Sequence, residues 1–251
     1  MHNERISFTN ACGDTLIGVL HHPVENNSAG AAILCHGMES DKNSEKLIFL
    51  GRQLAERGIL TLRFDFSYVG ESSGKFADIT YSGEVEDLRA AYELMRRHRD
   101  GKIAIFGSSM GGTVALMFAA AEPQVAAVAT LAAPLHPENF PKRVLSPAGL
   151  ELWRKRGITH YNGQRLNRTL LEDLESIDVP GTVRSIQCPV LILHGDADEV
   201  VPVAEAHELH GCLKNSKRLS ILKGGDHRLS DPILMQRAMR QALDWLTEHV
   251  Q

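Results

Sequence analysis

Short apolar runs of strand length recur along the chain, each followed by a stretch with helical patterning. The runs are AGAAILCHG (29–37), ILTLRFDF (59–66), KIAIF (102–106), VAAVATLAAP (125–134), CPVLILHGDAD (188–198) and KRLSILKGGDH (217–227). KIAIF is rich in β-branched and aromatic residues, as expected of a strand buried on both faces. Between them, KLIFLGRQLAERG, GEVEDLRAAYELMRRHR (83–99), TVALMFAAAEP (113–123), VAEAHELHGCL and the final MQRAMRQALDWLTEH read as helices. Gly58 closes the first of these, and Asp231-Pro232 opens the last as N-cap and first helical position. Regular strand–helix alternation predicts an α/β fold: a mostly parallel central sheet flanked by helices. RISFTN, a turn at CGD and TLIGVLHH add a meander at the N-terminal side.

The rhythm breaks between Leu135 and Arg184, a segment with eight Lys/Arg and six Asp/Glu, several prolines and aromatics, and no strand of core type. One domain over 1–251 with an inserted cap at 135–184 is therefore expected. In such sheets ligands bind beyond the carboxyl ends of the strands, and the residues singled out below fall there.

Two stretches fit the pattern Gly-x-Ser-x-Gly: GSSMG around Ser109 and GESSG around Ser72. A serine hydroxyl is a weak nucleophile and needs an adjacent base as it attacks. It is presented best on a sharp turn between a buried strand and a helix, where the flanking glycines avoid a clash. Ser109 has KIAIF before it and a helix former after it. Ser72 lies several residues past its strand, in a Gly/Ser-rich connection followed by the loop KFADITYSG, and is expected to be a turn residue.

Of twelve histidines, His227 follows the last strand in the loop GGDHRLSDP, where a side chain can reach the serine. His36 and His194 each end a strand next to a turn glycine, which suits a backbone-shaping role. The base requires an acceptor to fix its tautomer. Asp198 reaches further into the loop HGDADEVVP than Asp196, which is expected to cap the turn; Asp226 reads as structural.

The order Ser109, Asp198, His227 is that of α/β-hydrolases. The sequence resembles that superfamily over essentially its whole length, in LCHGMES, RFDFSYVGESSG, GSSMGG, HGDADEVVP and GGDH. The resemblance implies an α/β-hydrolase fold, a catalytic triad of Ser109, Asp198 and His227, and an oxyanion hole from the backbone N–H groups of Met38 and Met110. It also makes GESSG a structural loop, with Tyr68-Val69 standing where relatives usually have a glycine or histidine. The short HG-M-E-S loop and the insertion resemble cinnamoyl/feruloyl esterases and related small carboxylesterases, and equally serine aminopeptidase-like hydrolases and monoacylglycerol lipases. In such relatives the insertion supplies the specificity pocket. Phe140, Trp153 and Tyr161 are its candidates for stacking an acyl or aromatic group, and His160 or Asn162 for meeting a hydroxyl.

Composition narrows the function. With 43% hydrophobic and 23% charged residues and a net charge of −4, the chain has no electrostatic footprint for nucleic acid, and its apolar runs are too short to span a membrane. The N-terminal MHNERISFTN lacks a signal-peptide layout. Four scattered cysteines form no metal-ligand spacing, and they read as reduced residues of a cytoplasmic protein. The insertion lacks the continuous apolar face of a lipase lid. The expected activity is cleavage of small carboxylic esters, hydroxycinnamates included, through an acyl-enzyme, with no cofactor or metal. Amide or peptide hydrolysis, thioester hydrolysis, carbon–carbon bond hydrolysis and an inactive ligand-binding scaffold are the alternatives. The partner expected is a small-molecule ester, with no nucleic acid and no membrane; assembly is open, with a homodimer allowed.

Overall fold

A computed structural model describes residues 2–23 and 30–251; Ala29, the first residue of one expected strand, lies outside them. Eight strands form one sheet in the order β1-β2-β4-β3-β5-β6-β9-β10. They are β1 (His2–Thr9), β2 (Thr15–His22), β3 (Gly30–Cys35), β4 (Leu60–Phe64), β5 (Lys102–Ser108), β6 (Val125–Leu131), β9 (Val190–Gly195) and β10 (Lys217–Leu222). The meander β1–β2 runs antiparallel to β4; every pairing from β4 to β10 is parallel. The expected mostly parallel sheet is thus present.

Both faces of the central strands are buried, which is why their runs are continuously apolar. Ala32, Leu34, Phe106 and Leu193 face a cluster shared with α1 (Glu45–Glu56) and α9 (Pro232–Val250). Ile33, Cys35, Ile105 and Ile192 face the other cluster, with α2 (Tyr81–His98), α3 (Met110–Ala121) and α8 (Val203–Cys212). The sequence cues for the ends of α1 and α9 operate as read. Gly58 takes φ +84 after α1, and the Asp231 carboxylate accepts from Ile233 and Leu234 N–H at 2.7 and 3.2 Å.

Two helices begin earlier than the sequence suggested. The helix expected at 113 starts at Met110, directly on Ser109; the poor helix formers Gly111 and Gly112 concealed its first turn. The helix expected at 83 starts at Tyr81, capped by Thr80, whose hydroxyl accepts from Gly83 N–H. Asp173 takes two more of its open N–H groups, Tyr81 at 2.7 Å and Ser82 at 3.3 Å.

Between β6 and β9 the chain forms α4 (Phe140–Val144), α5 (Pro147–Arg156), a two-stranded hairpin β7 (Ile158–Tyr161) and β8 (Gln164–Asn167), α6 (Arg168–Ser176) and α7 (Val179–Thr182). The hairpin is separate from the main sheet. Its turn, Asn162-Gly163, has both residues at positive φ, +48 and +79, the conformation that an Asn-Gly pair favours. Leu166, Leu170, Leu171 and Leu174 sink into the same apolar cluster as α2 and α3.

Candidate active site

Ser109 sits between β5 and α3 at φ 52, ψ −123, a strained conformation for a residue with a side chain. The turn is so tight that three glycines are obligatory. A Cβ on Gly107 would lie 2.2 Å from Gly111 O, one on Gly111 2.2 Å from His36 O, and one on Gly112 2.8 Å from Ala133 Cβ. Gly37 closes the other side, where a Cβ would stand 3.1 Å from Ser109 Cβ.

The loops after β9 and β10 bring the other two residues to this serine. His227 Nε2 is 3.0 Å from Ser109 Oγ, and its Nδ1 is 2.8 and 3.1 Å from the two Asp198 oxygens. A carboxylate accepts only, so Nδ1–H donates to Asp198 and Nε2 is left to accept from Ser109 Oγ–H. The Asp198 side chain is wholly buried, and its Oδ1 also accepts from Val200 and Val201 N–H at 2.9 and 2.8 Å. Burial alone would raise its pKa. The hydrogen bonds from His194, His227 and Val201 outweigh that and hold the carboxyl well below the usual carboxylate range.

The sequence reading missed His194. Its Nε2–H is shared between Val201 O at 2.9 Å and Asp198 Oδ2 at 3.2 Å, with the ring fully buried. The ring shapes backbone as expected, but it also grips the carboxylate. His36 is tied into backbone, with Nδ1 2.8 Å from Gly37 O and Nε2 accepting from Phe66 N–H. Asp196 accepts from Gly224 N–H and Asp226 from Ser230 N–H; neither bonds to His227.

Met38 and Met110 flank Ser109 on a cavity of about 640 Å³. Among the described residues neither backbone N–H has an acceptor outside regular elements. The loop carrying Met38 is anchored by Lys42: its N–H and ammonium bond the two oxygens of buried Asp65 at 2.8 and 2.6 Å, and the ammonium also reaches Glu71.

Of the aromatic candidates, Phe140 and Tyr161 line this cavity, edge to face with centroids 5.1 Å apart. Trp153 does not: it is 1% exposed, in the apolar cluster with Leu166 and Leu170, so its large ring packs core. Asn162 lines the cavity, but its amide is committed to both oxygens of Glu39 at 2.9 and 3.1 Å; His160 is exposed and off the cavity. Tyr81, Arg143, Val144, Pro134 and Leu170 complete much of the wall. No helix is long and apolar enough to cross a membrane, and no cluster of His, Cys, Asp or Glu fit to hold a metal occurs among the described residues.

The model of a family described as the alpha/beta hydrolase domain matches residues 28–154, half of the chain. A mouse mitochondrial palmitoyl-protein thioesterase, ABHD10, is 26% identical over 208 residues, covering 79% of this chain and 69% of its own. The esterase domain of a Rhodothermus marinus protein superposes with a TM-score of 0.79 at 27% identity, over 100% of both chains. Est1E from Butyrivibrio proteoclasticus, solved with ferulic acid bound, superposes at 0.86 over 97% of this chain and 98% of its own; at 23% identity that likeness is one of fold.

Proposed function

Because the chain belongs to the alpha/beta hydrolase family, we propose that it is a serine hydrolase of the esterase/thioesterase type that cleaves small carboxylic esters through an acyl-enzyme. The observation that carries this reading is the continuous relay Asp198–His227–Ser109, with contacts of 2.8 and 3.0 Å, on a strained strand-to-helix turn at the floor of a cavity.

In this mechanism Ser109 Oγ attacks the ester carbonyl while its proton passes to His227 Nε2. Asp198 stabilises the imidazolium and is not itself protonated. The tetrahedral oxyanion takes hydrogen bonds from Met38 and Met110 N–H, each donor contributing about 2.7–4 kcal/mol to the barrier reduction. His227 returns the proton to the leaving oxygen, and water, activated by the same histidine, then releases the acyl group. Residues 135–184 act as a cap over the site, with Phe140 and Tyr161 against the acyl group.

The same chemistry serves a thioester, whose sulfur leaves in place of oxygen; the thioesterase relative supports including that class. Initial rates on p-nitrophenyl butyrate, methyl ferulate, a butyryl thioester and an aminoacyl p-nitroanilide test the reading, with the Ser109→Ala protein as blank. Turnover of ester or thioester above the blank is expected. Turnover of the anilide alone would make the enzyme an amide hydrolase, and no turnover with no labelling by a fluorophosphonate would leave a binding scaffold.

A further inference from the structure

Part of one cavity wall has no task in that mechanism. Beyond Met38, the 37–44 loop and the start of α1 place Ser40, Ser44 and Lys46 on the lining. All three side chains are half-buried. Among the described residues none of them has a partner. Ser44 precedes α1 without a side-chain cap bond, Ser40 is tied only through its N–H to Gly37 O, and the Lys46 ammonium feels Asp226 and Glu45 through space without a hydrogen bond.

Of the other charges on this lining, Arg143, Glu39 and Arg228 are engaged. Arg143 is held by Glu205 and Val200 O. Glu39 accepts from Asn162 and faces Arg228 at 3.8 Å. Asp226, off the lining but within electrostatic reach of Lys46, accepts from Ser230 N–H at 2.8 Å. Glu199 also lines the cavity and makes no ion pair with Lys46 among the described residues. Lys46 is therefore a cation drawn partly out of water with no counter-charge in contact, a costly state that a ligand can relieve. Burial pulls its pKa below the ordinary lysine value, with Asp226 opposing and Arg228 adding to that pull.

An ammonium with two hydroxyl donors matches the acceptor-only oxygens of a carboxylate. Its position assigns the half of the substrate. The charges Lys46 feels, Asp226 and Arg228, flank His227, and His227 delivers the proton to the leaving group. Phe140, Val144 and Leu170 supply an apolar wall for the acyl group.

We propose that Lys46, with Ser40 and Ser44, forms a subsite for a carboxylate carried on the leaving-group half of the ester. The inference rests on the hydrolase reading above and narrows it to esters whose alcohol bears an acid.

The test uses a matched pair, the butyrate esters of 4-nitrophenol and of 3-carboxy-4-nitrophenol. At low salt the carboxylated ester is expected to have the higher kcat/KM, by about tenfold, carried by KM. Lys46→Met should erase that ratio and Lys46→Arg keep most of it. In parallel, calorimetry on the Ser109→Ala protein measures binding of 5-hydroxy-2-nitrobenzoate, the carboxylated leaving group, with and without Lys46→Met. Tighter binding that depends on Lys46 supports the subsite. An unchanged ratio in Lys46→Met, a wild-type preference for the neutral ester, or binding indifferent to Lys46 overturns it. If neither ester turns over, the hydrolase reading fails, and the calorimetry still decides the subsite.

Discussion

The two Gly-x-Ser-x-Gly stretches have the same pattern and opposite structural uses. Ser109 stands on a strained turn at φ 52, with its hydroxyl 3.0 Å from His227 Nε2. Ser72 has its hydroxyl spent: it donates to Asp65 O at 2.7 Å and accepts from Ile17 N–H at 3.0 Å. That pair of bonds stitches the 65–74 loop to β2. Asp65 in turn holds Lys42 and so the loop of Met38. The glycines differ as well. Those around Ser109 admit close backbone approach, whereas Gly70, at φ +59, leaves room for the Asp65 carboxylate, which a Cβ would meet at 2.2 Å. In the proposed mechanism Ser109 keeps capacity on the side where substrate arrives, whereas the Ser72 hydroxyl both donates and accepts within the loop.

The largest test of this contrast is Ser109→Ala, expected to lower kcat on p-nitrophenyl butyrate by on the order of 10⁶-fold with little change in unfolding midpoint. If Ser72→Ala silenced turnover and Ser109→Ala did not, the two roles would have to be exchanged. Next comes His194, which is linked to Ser109 through Asp198 and His227. His194→Leu removes an N–H from a buried carboxylate and should cost about 10–100-fold in kcat with KM little altered. His194→Gln, which retains an N–H donor, should recover most of that loss; equal damage by both would reduce His194 to a packing residue. Smaller again is Ser72→Ala itself. It should cost about 1–2 kcal/mol in urea denaturation, with the ester rate within about twofold of wild type.

These contrasts also mark what the sequence could and could not disclose. Strand runs and the chain order of Ser109, Asp198 and His227 were readable because buried parallel strands need continuous apolar residues and their loops fall at one edge of the sheet. Asp198 was separable from Asp196 by its reach along one loop. His194 was hidden, since its hold on Asp198 depends on how the chain turns after β9 and no periodicity reports that. Trp153 was misplaced because an aromatic in an insertion fits a pocket wall and a core equally well by composition. The β7–β8 hairpin did leave a signal, Asn162-Gly163, but the short flanking strands ITHY and QRLN are mostly exposed or half-exposed, so no apolar run announced them. Tyr68 takes φ 76, a backbone that glycine adopts more easily.

An unsatisfied polar atom is not by itself a mark of function, and Glu84 sharpens the rule. Its carboxyl is 1% exposed, and neither oxygen has a partner among the described residues. Where Asp198 is held ionised by its donors, burial, with Asp87 and Asp173 adding repulsion, pushes the Glu84 pKa far above the ordinary glutamate value. It faces α2's own apolar cluster and does not line the cavity with Ser109, so burial raises its pKa away from that site. The sign follows from proton linkage. Above the unfolded glutamate pKa the native state holds a proton that the unfolded state has released. Stability therefore falls as pH rises from there towards the folded value, by up to about 1.4 kcal/mol per pH unit. Glu84→Gln removes that proton exchange while keeping shape. It should flatten the decline in unfolding free energy as pH rises above the ordinary glutamate value of about 4.3 and leave the ester rate near wild type; a slope unchanged by the substitution would show that Glu84 is ionised in the native protein.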